Sequence, residues 1–493
     1  MLAALSVLKA DTRPNIVFLM TDDQRWDTLG CYGRPEFQTV NIDKLASEGV
    51  VFDNSYHAVA ICMPSRVSLM TGRHFASHNS GFTYPHNDDI SKKHLADTYH
   101  AKLKAAGYRS GFVGKFGFRV EGREASLKPH FDYMDANNTH AKFTIAQPMW
   151  AKDMEGFKKI HRKGRSSKER TLIKGDSMLN FLDTQPEGKP FVLSVSFDAV
   201  KNDKDADMYG PDTEVFEKKD FSVPSNWVEG ANEALPDVIK KNARGYSLHL
   251  KRSSTPEQYQ RNTRRFATQG LSVDNQVGRL VEKLKEMKVL DNTIIIYTSD
   301  NGRYHGSHGL YDKAILHEES VKAPLVIWDG RVAGKEKGHR VNALASSVDI
   351  APTILSLANE KAPNVMQGLD LTGHLNKTED LADWREAVLM ENLFVQEVLT
   401  AQRSAKKSPV DNKGINDDII SNNRSYRSRG IRSGKWKYFI YYEHTPVIEE
   451  LYDLESDPDE VKNLAGIESH KDTLIKLREK TAALHKEYSD KGS

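Results

Sequence analysis

Short apolar segments alternate with longer helical patterns along the first three-quarters of this 493-residue chain. The short segments are rich in β-branched and aromatic residues, which is typical of buried strands. Because consecutive parallel strands need a crossover connection, usually a helix, this alternation predicts an α/β fold with a mostly parallel sheet between helices. The predicted strands are residues 15–20, 49–55, 108–113, 191–197, 293–298 and 324–328. The predicted helices are residues 41–48, 95–106, 170–182, 256–287 and 348–357.

The rest of the chain predicts a small second unit and two long connections, since a chain of this length exceeds one typical core. Beyond residue 378, three strand patterns and a closing amphipathic helix predict a small antiparallel subdomain, with strands at 387–390, 434–442 and 449–454 and the helix at 471–488. We therefore expect an α/β domain over residues 13–378 and an α+β subdomain over residues 379–493. The polar segment 199–255 has no clear period, and we expect it to be a long excursion off the sheet. The polar segment 402–428 predicts a mobile or substrate-side loop.

Composition narrows the class of partner. The chain has 70 Lys+Arg against 68 Asp+Glu, a net charge of +2, so it lacks the basic surplus of nucleic-acid-binding proteins. No apolar run is long enough to cross a bilayer. We expect neither a nucleic-acid partner nor a transmembrane segment. The first residues, MLAALSVLKA, resemble the apolar part of a secretory signal, so residues 1–12 predict a signal remnant or a disordered N-terminus, and the protein is expected in the periplasm or outside the cell.

Two predicted strands end in pairs of oxygen-bearing side chains. NIVFLMTDD finishes in Asp22 and Asp23, and NTIIIYTSDNG finishes in Asp300 and Asn301. In open α/β sheets ligands bind beyond the carboxyl ends of the strands. Carboxylate and amide oxygens suit Ca²⁺ or Mg²⁺. Either pair alone favours ordinary turn chemistry, since Asp, Asn and Gly often end strands. Two such pairs on strands of one sheet, together with Cys62 elsewhere in the chain, favour a metal site.

The segment ICMPSRVSLMTGR contains Cys62, one of two cysteines in the chain. Pro64 suits the first turn of a helix, which would put Cys62 at a helix N-terminus, where anions are favoured. Arg66, one turn later, presents a fork that fits sulfate or phosphate oxygens. The residues leave three alternatives open: an inert buried thiol, a disulfide with Cys31, or a reactive centre. A zinc site is not indicated, because the chain has no CxxC pair and no HExxH motif.

Residues 62–73 resemble the signature of the type I (formylglycine-dependent) sulfatases, C-x-P-S-R-x-x-x-L-T-G-R, with Met70 in place of the usual leucine. The resemblance covers essentially the whole chain. PNIVFLMTDDQRWDTLGCYG and IDKLASEGVVFDNSY are similar to the opening strand, metal turn and next helix of that family. SDNGRYHGSHGLYDKAILHEESVKAPLVI is similar to its late metal strand and lysine loop, and WKYFIYYEHTPVIEELYDLESDPDEVKNLA to its C-terminal subdomain. The implied fold is that of the alkaline phosphatase-like superfamily.

This resemblance implies a mechanism and a set of partners. Cys62 would be oxidised to Cα-formylglycine by a formylglycine-generating or anaerobic sulfatase-maturating enzyme. Its hydrate, bound to Ca²⁺ or Mg²⁺, would attack the sulfur of a sulfate ester, and a covalent sulfo-enzyme intermediate would then release sulfate. The residues at the matching motif positions are Asp22, Asp23, Asp300 and Asn301 with modified Cys62 for the metal, Arg66 for the hydrate, Lys115 and Lys313 for sulfate oxygens, and His308 on the substrate side.

The chain departs from the family pattern at two positions. Relatives read G-K-W-H where this chain has Gly114–Lys115–Phe116–Gly117, so a catalytic histidine of the family is replaced by Gly117. Relatives read S-F-x-x-P-H where this chain reads SFDAVK, so Lys201 replaces a histidine. A lysine can hold a sulfate oxygen, and it could act as an acid if desolvation lowered its pKa. We expect Lys201 in the site, with His78 and His308 as candidate substitutes for the missing imidazoles, and all three as candidate substrate contacts.

Three functions follow from these patterns. The first is a sulfuric ester hydrolase, with a sulfated carbohydrate or polysaccharide as substrate by analogy with relatives. The second is a phosphonate or phosphodiester hydrolase of the same superfamily. The third is a catalytically degenerate anion-binding homologue, which the replacement of the two family histidines favours. The identity of the sugar and the position of its sulfate do not follow from the sequence.

Overall fold

The computed structural model describes residues 12–81, 83–86, 89–122, 124–137, 167–201, 211–227, 233, 235–334, 338–376, 383–404 and 411–491. The predicted N-terminal segment therefore lies, apart from its last residue, outside the described residues. Among the described helices, none combines the length and the apolar character that a bilayer crossing requires.

Apolar, β-branched sequences build the strands, and the central ones are buried along their whole length. All eight residues of the first strand and all ten of the eighth are buried. The strands of the first three-quarters of the chain are β1 Asn15–Asp22, β2 Val50–Phe52, β3 Ser55–Tyr56, β4 Asp89–Ile90, β5 Arg109–Lys115, β6 Arg119–Val120, β7 Tyr133–Asn137, β8 Phe191–Val200, β9 Thr293–Ser299, β10 Leu325–Asp329, β11 His339–Val341 and β12 Ala345–Ser346.

Eight of the described strands form one sheet in the order β11-β2-β10-β9-β1-β8-β5-β7. β9, β1, β8, β5 and β7 run parallel to one another, and β11 runs parallel to β2. β10 is antiparallel to both β2 and β9. The connection from β9 to β10 contains no crossover helix, only the 3₁₀ turn Ser307–Gly309 and the four-residue helix Glu318–Val321, so the chain returns in the opposite direction. The predicted mostly parallel sheet is confirmed.

Helices cover both faces of this sheet, and their apolar sides form two separate core clusters with it. The longest helix begins at the capping residue Thr255, whose hydroxyl accepts a hydrogen bond from the Gln258 N–H. The helices are α1 Val40–Glu48, α2 Cys62–Thr71, α3 Phe75–His78, α4 Lys92–Ala96, α5 Tyr99–Ala105, α6 Glu124–Leu127, α7 Ser167–Asp183, α8 Pro211–Phe216, α9 Asp237–Asn242, α10 Arg244–Arg252, α11 Pro256–Glu286, α12 Glu318–Val321, α13 Ile350–Leu357, α14 Thr372–Leu375, α15 Gln396–Ser404, α16 Asn412–Ser421 and α17 Lys471–Asp490.

The C-terminal part contains a four-stranded antiparallel sheet in the order β13-β14-β15-β16. Its strands are β13 Ala387–Asn392, β14 Ser428–Ser433, β15 Trp436–Tyr441 and β16 Ile448–Asp453. Leu474 and Leu477 of α17 pack on one face of this sheet. The predicted antiparallel subdomain with a closing helix is confirmed, whereas its boundary at residues 378 and 379 stays a prediction.

Both long polar segments contain regular structure among their described residues, so the prediction of a loop over 402–428 is wrong in part. Within the described part of 199–255, β8 continues to Val200 and the helices α8, α9 and α10 follow. Within 402–428, α16 is helical and β14 begins at Ser428. These helices are short and mostly polar, so packing against neighbouring elements stabilises them, and a sequence period alone does not reveal them. The predicted helix 95–106 is two helices, because Asp97 ends α4 and Thr98 caps α5.

Candidate active site

Four neighbouring parallel strands end at the same edge of the sheet, and each delivers a charged or polar side chain there. In spatial order these strands are β9, β1, β8 and β5. Since parallel strands share a direction, residues far apart in sequence meet beyond their carboxyl ends. The residues at these ends are Asp300 and Asn301 after β9, Asp22 and Asp23 at the end of β1, Lys201 after β8 and Lys115 at the end of β5.

Cys62 is the first residue of α2, as the position of Pro64 predicts. The preceding Ile61 is extended, and all ten residues of α2 are buried, so this helix N-terminus lies inside the molecule. The Cys62 Sγ is 3.6 Å from Asp22 Oδ1 and 3.6 Å from Asp23 Oδ1. Cys31 and Cys62 are both free thiols, so no disulfide joins them.

The acidic residues form one compact group around this sulfur. One ligand atom each from Asp22, Asp23, Cys62 and Asp300 lies within 4.8 Å of the others. Asn301 joins them through its amide, which donates to Asp23 Oδ1 at 2.8 Å. Apart from the sulfur, the donors are carboxylate and amide oxygens, the ligands that Ca²⁺ and Mg²⁺ take. The residues present therefore fit the hard cation that the sequence predicts.

Cationic side chains surround this acidic group. Lys115 contacts Asp22 and Lys313 contacts Asp23, both as close ion pairs. The Lys313 Nζ is also 2.6 Å from Cys62 Sγ. The Lys201 Nζ lies 3.7 Å from Asp23 Oδ2 and 3.9 Å from Cys62 Sγ, with about a quarter of its side chain exposed to solvent.

Arg66 is fully buried and joins three of the strand ends. Its Nε donates to Asp300 Oδ2 at 2.7 Å, and its Nη1 donates to the Lys115 carbonyl at 2.6 Å and to Ser196 Oγ at 2.5 Å. Its Nη2 is 3.5 Å from Asp22 Oδ2. The arginine therefore holds α2 against β9, β5 and β8 while it balances buried negative charge.

Burial and the neighbouring lysines act in opposite directions on the pKa values of Asp22 and Asp23. Burial raises the pKa of Asp22, but the ammonium groups of Lys115, Lys201 and Lys313 outweigh it and hold that pKa well below its usual range. Burial likewise opposes the effect of Lys201 and Lys313 on Asp23, whose pKa is also lowered. Both carboxylates therefore stay ionised and available to a cation at neutral pH.

The nearby carboxylates also raise the pKa values of the Cys62 thiol and of the two lysines beside it. Burial, and then the carboxylates Asp22 and Asp300, raise the pKa of Cys62 to about 11, so its thiol is protonated at neutral pH. Burial lowers the pKa of Lys201, but the negative groups beside it raise that pKa above its ordinary value. The same balance raises the pKa of Lys313. The structure thus presents Lys201 as a fixed cation, and the sequence-based idea of a low-pKa acid has no support from its surroundings.

Gly117 lies against Arg66, which explains how the chain accommodates a glycine at this family position. The φ of Gly117 is +88°, a conformation that side-chain-bearing residues rarely adopt. A Cβ placed there would be 2.4 Å from Arg66 Cδ. With this backbone and this arginine conformation, a histidine could not replace the glycine.

The two histidines proposed as substitutes lie in other surroundings. His78 Nε2 is 3.0 Å from Ser68 Oγ of α2, and its Nδ1 accepts a hydrogen bond from the Ser80 N–H at 3.1 Å. His308 lies against Glu319, with 3.4 Å between His308 Nε2 and Glu319 Oε2. Neither histidine belongs to the acidic group around Cys62.

The structure adds residues that the sequence patterns did not indicate. Arg303 Nη1 is 3.0 Å from Asp23 Oδ2, and its only sequence signal is that it follows the Asp300–Asn301–Gly302 turn. Lys174 of α7 forms a buried ion pair with Asp198 of β8. His57 is fully buried and its pKa is lowered to about 3 by burial and by the charge of Lys313, so a neutral imidazole lies near this lysine. No local spacing identifies the last two.

The fold and the acidic centre at the strand ends define a member of the alkaline phosphatase-like superfamily. Residues 14–360 match the family model described as Sulfatase. The chain belongs to the sulfatase family, and the expected class of enzyme, a sulfuric ester hydrolase, is confirmed at this level.

Known proteins resemble the chain over nearly its whole length. An N-acetylglucosamine-6-O-sulfatase of Bacteroides thetaiotaomicron is 28% identical, with 99% of this chain and 90% of that protein aligned. A protein solved in complex with its substrate D-glucosamine-2-N,6-O-disulfate has a TM-score of 0.73 and 24% identity, covering 97% of this chain and 98% of that one. A phosphonate monoester hydrolase of Agrobacterium radiobacter has a TM-score of 0.74 and 21% identity, covering 97% and 96%. At these identities the two structures show a shared fold.

Proposed function

We propose that this protein hydrolyses the sulfate esters of a sulfated carbohydrate, with a formylglycine derived from Cys62 as its nucleophile. The observation that carries the proposal is the position of Cys62 at a buried helix N-terminus, with its Sγ 3.6 Å from both Asp22 and Asp23 and 2.6 Å from Lys313. A residue in this position can contact both a metal cation bound by the two carboxylates and a sulfate group bound by the ammonium group.

The chemistry of the site favours a modified Cys62 over a thiol. With its pKa raised to about 11, the thiol is a poor nucleophile at neutral pH, since the thiolate is the reactive form. Sulfur is also a poor ligand for hard cations, whereas every other donor of the group is an oxygen. A formylglycine would supply a hydrated aldehyde whose hydroxyl attacks sulfur. The oxidation requires a maturation enzyme, either formylglycine-generating or anaerobic sulfatase-maturating.

Asp22, Asp23, Asp300 and Asn301 would hold a Ca²⁺ ion, or Mg²⁺ in its place. The ion would act as a Lewis acid that offsets the charge of the sulfate oxygens. Arg66 keeps these ligands together, because it bonds to Asp300 and lies 3.5 Å from Asp22 while it is itself fixed by Ser196. Asn301 orients Asp23 through its 2.8 Å hydrogen bond.

The cationic side chains would bind the sulfuryl group and stabilise the charge that develops on its oxygens. Cationic side chains outnumber the carboxylates in and around the acidic group that contains Cys62, which suits an anionic substrate. The cations are Arg66, Lys115, Lys201, Arg303 and Lys313, and the carboxylates are Asp22, Asp23 and Asp300. Lys115 and Lys313 approach the centre from opposite sides, one from β5 and one from the loop after β9. We assign Lys201 to a sulfate oxygen, because its Nζ lies 3.7 Å from Asp23 Oδ2 and 3.9 Å from Cys62 Sγ, beside the position of the nucleophile.

The relative from Bacteroides thetaiotaomicron makes 6-O-sulfated N-acetylglucosamine the first substrate to test. Phosphonate monoester hydrolysis is the second candidate, favoured by the fold shared with the Agrobacterium radiobacter enzyme. Export to the periplasm or the cell exterior remains a prediction, because residues 1–11 lie outside the described residues.

The proposal is tested by mass spectrometry of the 61–73 peptide, combined with assays of the purified protein from a host that makes formylglycine. We expect an aldehyde at position 62 and free sulfate from 6-O-sulfated N-acetylglucosamine or another sulfated saccharide. The 6-phosphate isostere and a phosphonate monoester serve as comparison substrates, and Cys62→Ala is the inactive control. A faster reaction with the phosphonate would establish the second candidate. An unconverted thiol with no sulfate released from any saccharide would leave only an anion-binding protein.

A further inference from the structure

We propose that His308, Glu319 and Glu460 form a second, buried site for a divalent cation of the zinc or manganese type. This site is separate from the acidic group around Cys62 and does not depend on the proposed function. It would join the loop that carries Lys313 to the segment that follows β16 of the C-terminal sheet.

The three side chains come from three different segments and meet in the interior. His308 lies in the turn Ser307–Gly309, Glu319 in α12, and Glu460 in the connection between β16 and α17. One ligand atom from each lies within 4.8 Å of the other two. All three residues are more than nine-tenths buried.

The atoms that face one another have no hydrogen-bond partner among the described residues. These atoms are His308 Nε2, Glu319 Oε2 and Glu460 Oε1. Buried nitrogen and oxygen atoms are nearly always paired, because an unpaired one loses its interaction with water without replacement. Three such atoms converging on one point indicate a missing common partner.

The other carboxylate oxygen of each glutamate accepts a hydrogen bond, and the histidine ring is stacked, so the three side chains are already oriented toward one another. The Asn226 amide donates to Glu319 Oε1 at 2.8 Å, and the Glu318 N–H donates to Glu460 Oε2 at 2.6 Å. The His308 ring stacks on His317 with 4.4 Å between ring centroids. Outer contacts of this kind orient the ligands in metal sites.

The donor types and their spacing select the class of ion. An imidazole nitrogen with two carboxylate oxygens suits Zn²⁺ or Mn²⁺, whereas Ca²⁺ and Mg²⁺ take oxygen alone. Two ligand atoms about 2.1 Å from a tetrahedral ion are about 3.4 Å apart. The distance between His308 Nε2 and Glu319 Oε2 is 3.4 Å, longer than a charge-assisted hydrogen bond.

The charge of the group also suits a divalent cation. Two ionised glutamates and a neutral imidazole would balance one such ion. Lys437 lies nearby, but its Nζ is 3.8 Å from Glu460 Oε1 and donates instead to Glu318 Oε1 at 2.8 Å. The lysine is therefore within ion-pair distance of Glu460 but makes no hydrogen bond to any of the three converging atoms.

Sequence spacing does not reveal such a site. His308 and Glu319 are eleven residues apart, and Glu460 lies more than a hundred residues further on, so no HExxH or CxxC pattern exists. Lys313 lies between the first two ligands, so a bound ion would restrict the loop that brings this lysine to Cys62.

The test uses the full-length protein, stripped of metal and then supplied with Zn²⁺ or Mn²⁺. We expect an anomalous difference peak between His308, Glu319 and Glu460, and imidazole scattering in the zinc X-ray absorption spectrum. The acidic group around Cys62 contains no histidine, so imidazole scattering separates the two sites. This signal should persist in Asp300→Asn, which alters only the other group.

His308→Gln and Glu460→Gln should weaken zinc binding at this site by at least about 100-fold, since altering outer contacts alone costs 10- to 100-fold. His130→Gln, at a partly exposed position in the 3₁₀ turn Lys128–His130 and outside this group, is the control. If these variants do not fold, the map and spectrum of the unaltered protein decide. A water molecule or a direct hydrogen bond at this position, with no anomalous peak under excess Zn²⁺ or Mn²⁺, would overturn the proposal.

Discussion

At Gly117, a neighbouring side chain fills the space that a larger residue at this position would occupy. Arg66 Cδ occupies the space into which a side chain at position 117 would extend. That arginine bonds to Asp300, to Ser196 and to the Lys115 carbonyl, so its conformation is fixed from several directions. The glycine is therefore part of the packing around the acidic group and not merely the loss of a histidine.

Gly117→Ala should reduce activity more than its backbone strain explains. Positive φ costs about 1–2 kcal/mol for a residue with a Cβ, and the clash with Arg66 adds to this. Gly33→Ala is a matched control, because Gly33 has φ +92° and open space around its Cβ position. Urea unfolding should show a loss of stability in both variants, whereas kcat/KM for a sulfate ester should fall about 100-fold in Gly117→Ala alone. Equal kcat/KM values would contradict the role of Arg66.

Lys201→Ala should lower kcat/KM for a sulfate ester by about 100-fold, because it removes a cation that lies within 4 Å of Asp22, Asp23 and Cys62. Lys201→Arg keeps the charge and should retain part of the activity. Lys361→Ala alters an exposed lysine and should have no effect. Steady-state kinetics at pH 7.5 measure all three. If Lys201→Ala were as active as the unaltered protein, the assignment of Lys201 to a sulfate oxygen would be wrong.

At the scale of elements, α2 owes its position to contacts along both of its faces. His78 of α3 lies against Ser68, and Arg66 connects the first turn to three strand ends. Burial is the main reason that the pKa of His78 lies well below its usual range, so this imidazole is neutral. The structure therefore gives His78 a supporting position beneath the helix that begins with Cys62.

His78→Ala should destabilise the fold by about 1–3 kcal/mol, since it leaves the Ser68 hydroxyl and the Ser80 N–H buried without their partner. His130→Ala, at a partly exposed position, is the comparison. Chemical unfolding measures the stability, and substrate titration measures KM. A role in support predicts an unchanged KM, whereas a rise in KM at unchanged stability would restore the sequence-based idea of a substrate contact.

The sequence predicts best what local patterns determine. The runs ending in Asp22–Asp23 and Asp300–Asn301 predict the strand ends, and Pro64 predicts the helix start at Cys62. The antiparallel direction of β10 depends on the loop before it, and the pairing of Lys174 with Asp198 depends on how α7 packs on β8. Contacts of this kind join distant segments, so no spacing in the chain encodes them.

At the scale of the whole molecule, the large buried core has a consequence for stability at low pH. Several fully buried histidines are neutral in the folded protein, chiefly because burial disfavours their charged form. The pKa is lowered to about 3 for His57, His74, His100 and His305. An unfolded chain would protonate each of them near pH 6.5.

The sign of the effect follows from linkage between protonation and folding. Below pH 6.5 these imidazoles are protonated in the unfolded state but remain neutral in the folded state, so stability decreases as pH falls. Each histidine contributes up to about 1.4 kcal/mol per pH unit between pH 6 and pH 3. Asp274, whose pKa burial raises to about 6, opposes this trend, and so does Glu460 in the absence of a bound cation, with a pKa raised to about 8. The four histidines outweigh these two carboxyl groups below pH 6.

The free energy of unfolding should therefore decrease steeply between pH 6.5 and pH 4.5, a change that urea titrations at half-unit intervals would measure. His100 offers a clean variant, because its two ring nitrogens contact Ser110 and Ser194 at 2.9 and 2.8 Å, and neither serine contacts the acidic group around Cys62. His100→Asn should lower stability at pH 7.5 yet reduce the slope by about 1.4 kcal/mol per pH unit. His470→Gln, near the surface, should leave the slope unchanged. A stability that stays constant from pH 7 to pH 5 would show that these imidazoles are protonated in the folded protein, and that water or a flexible core reaches them.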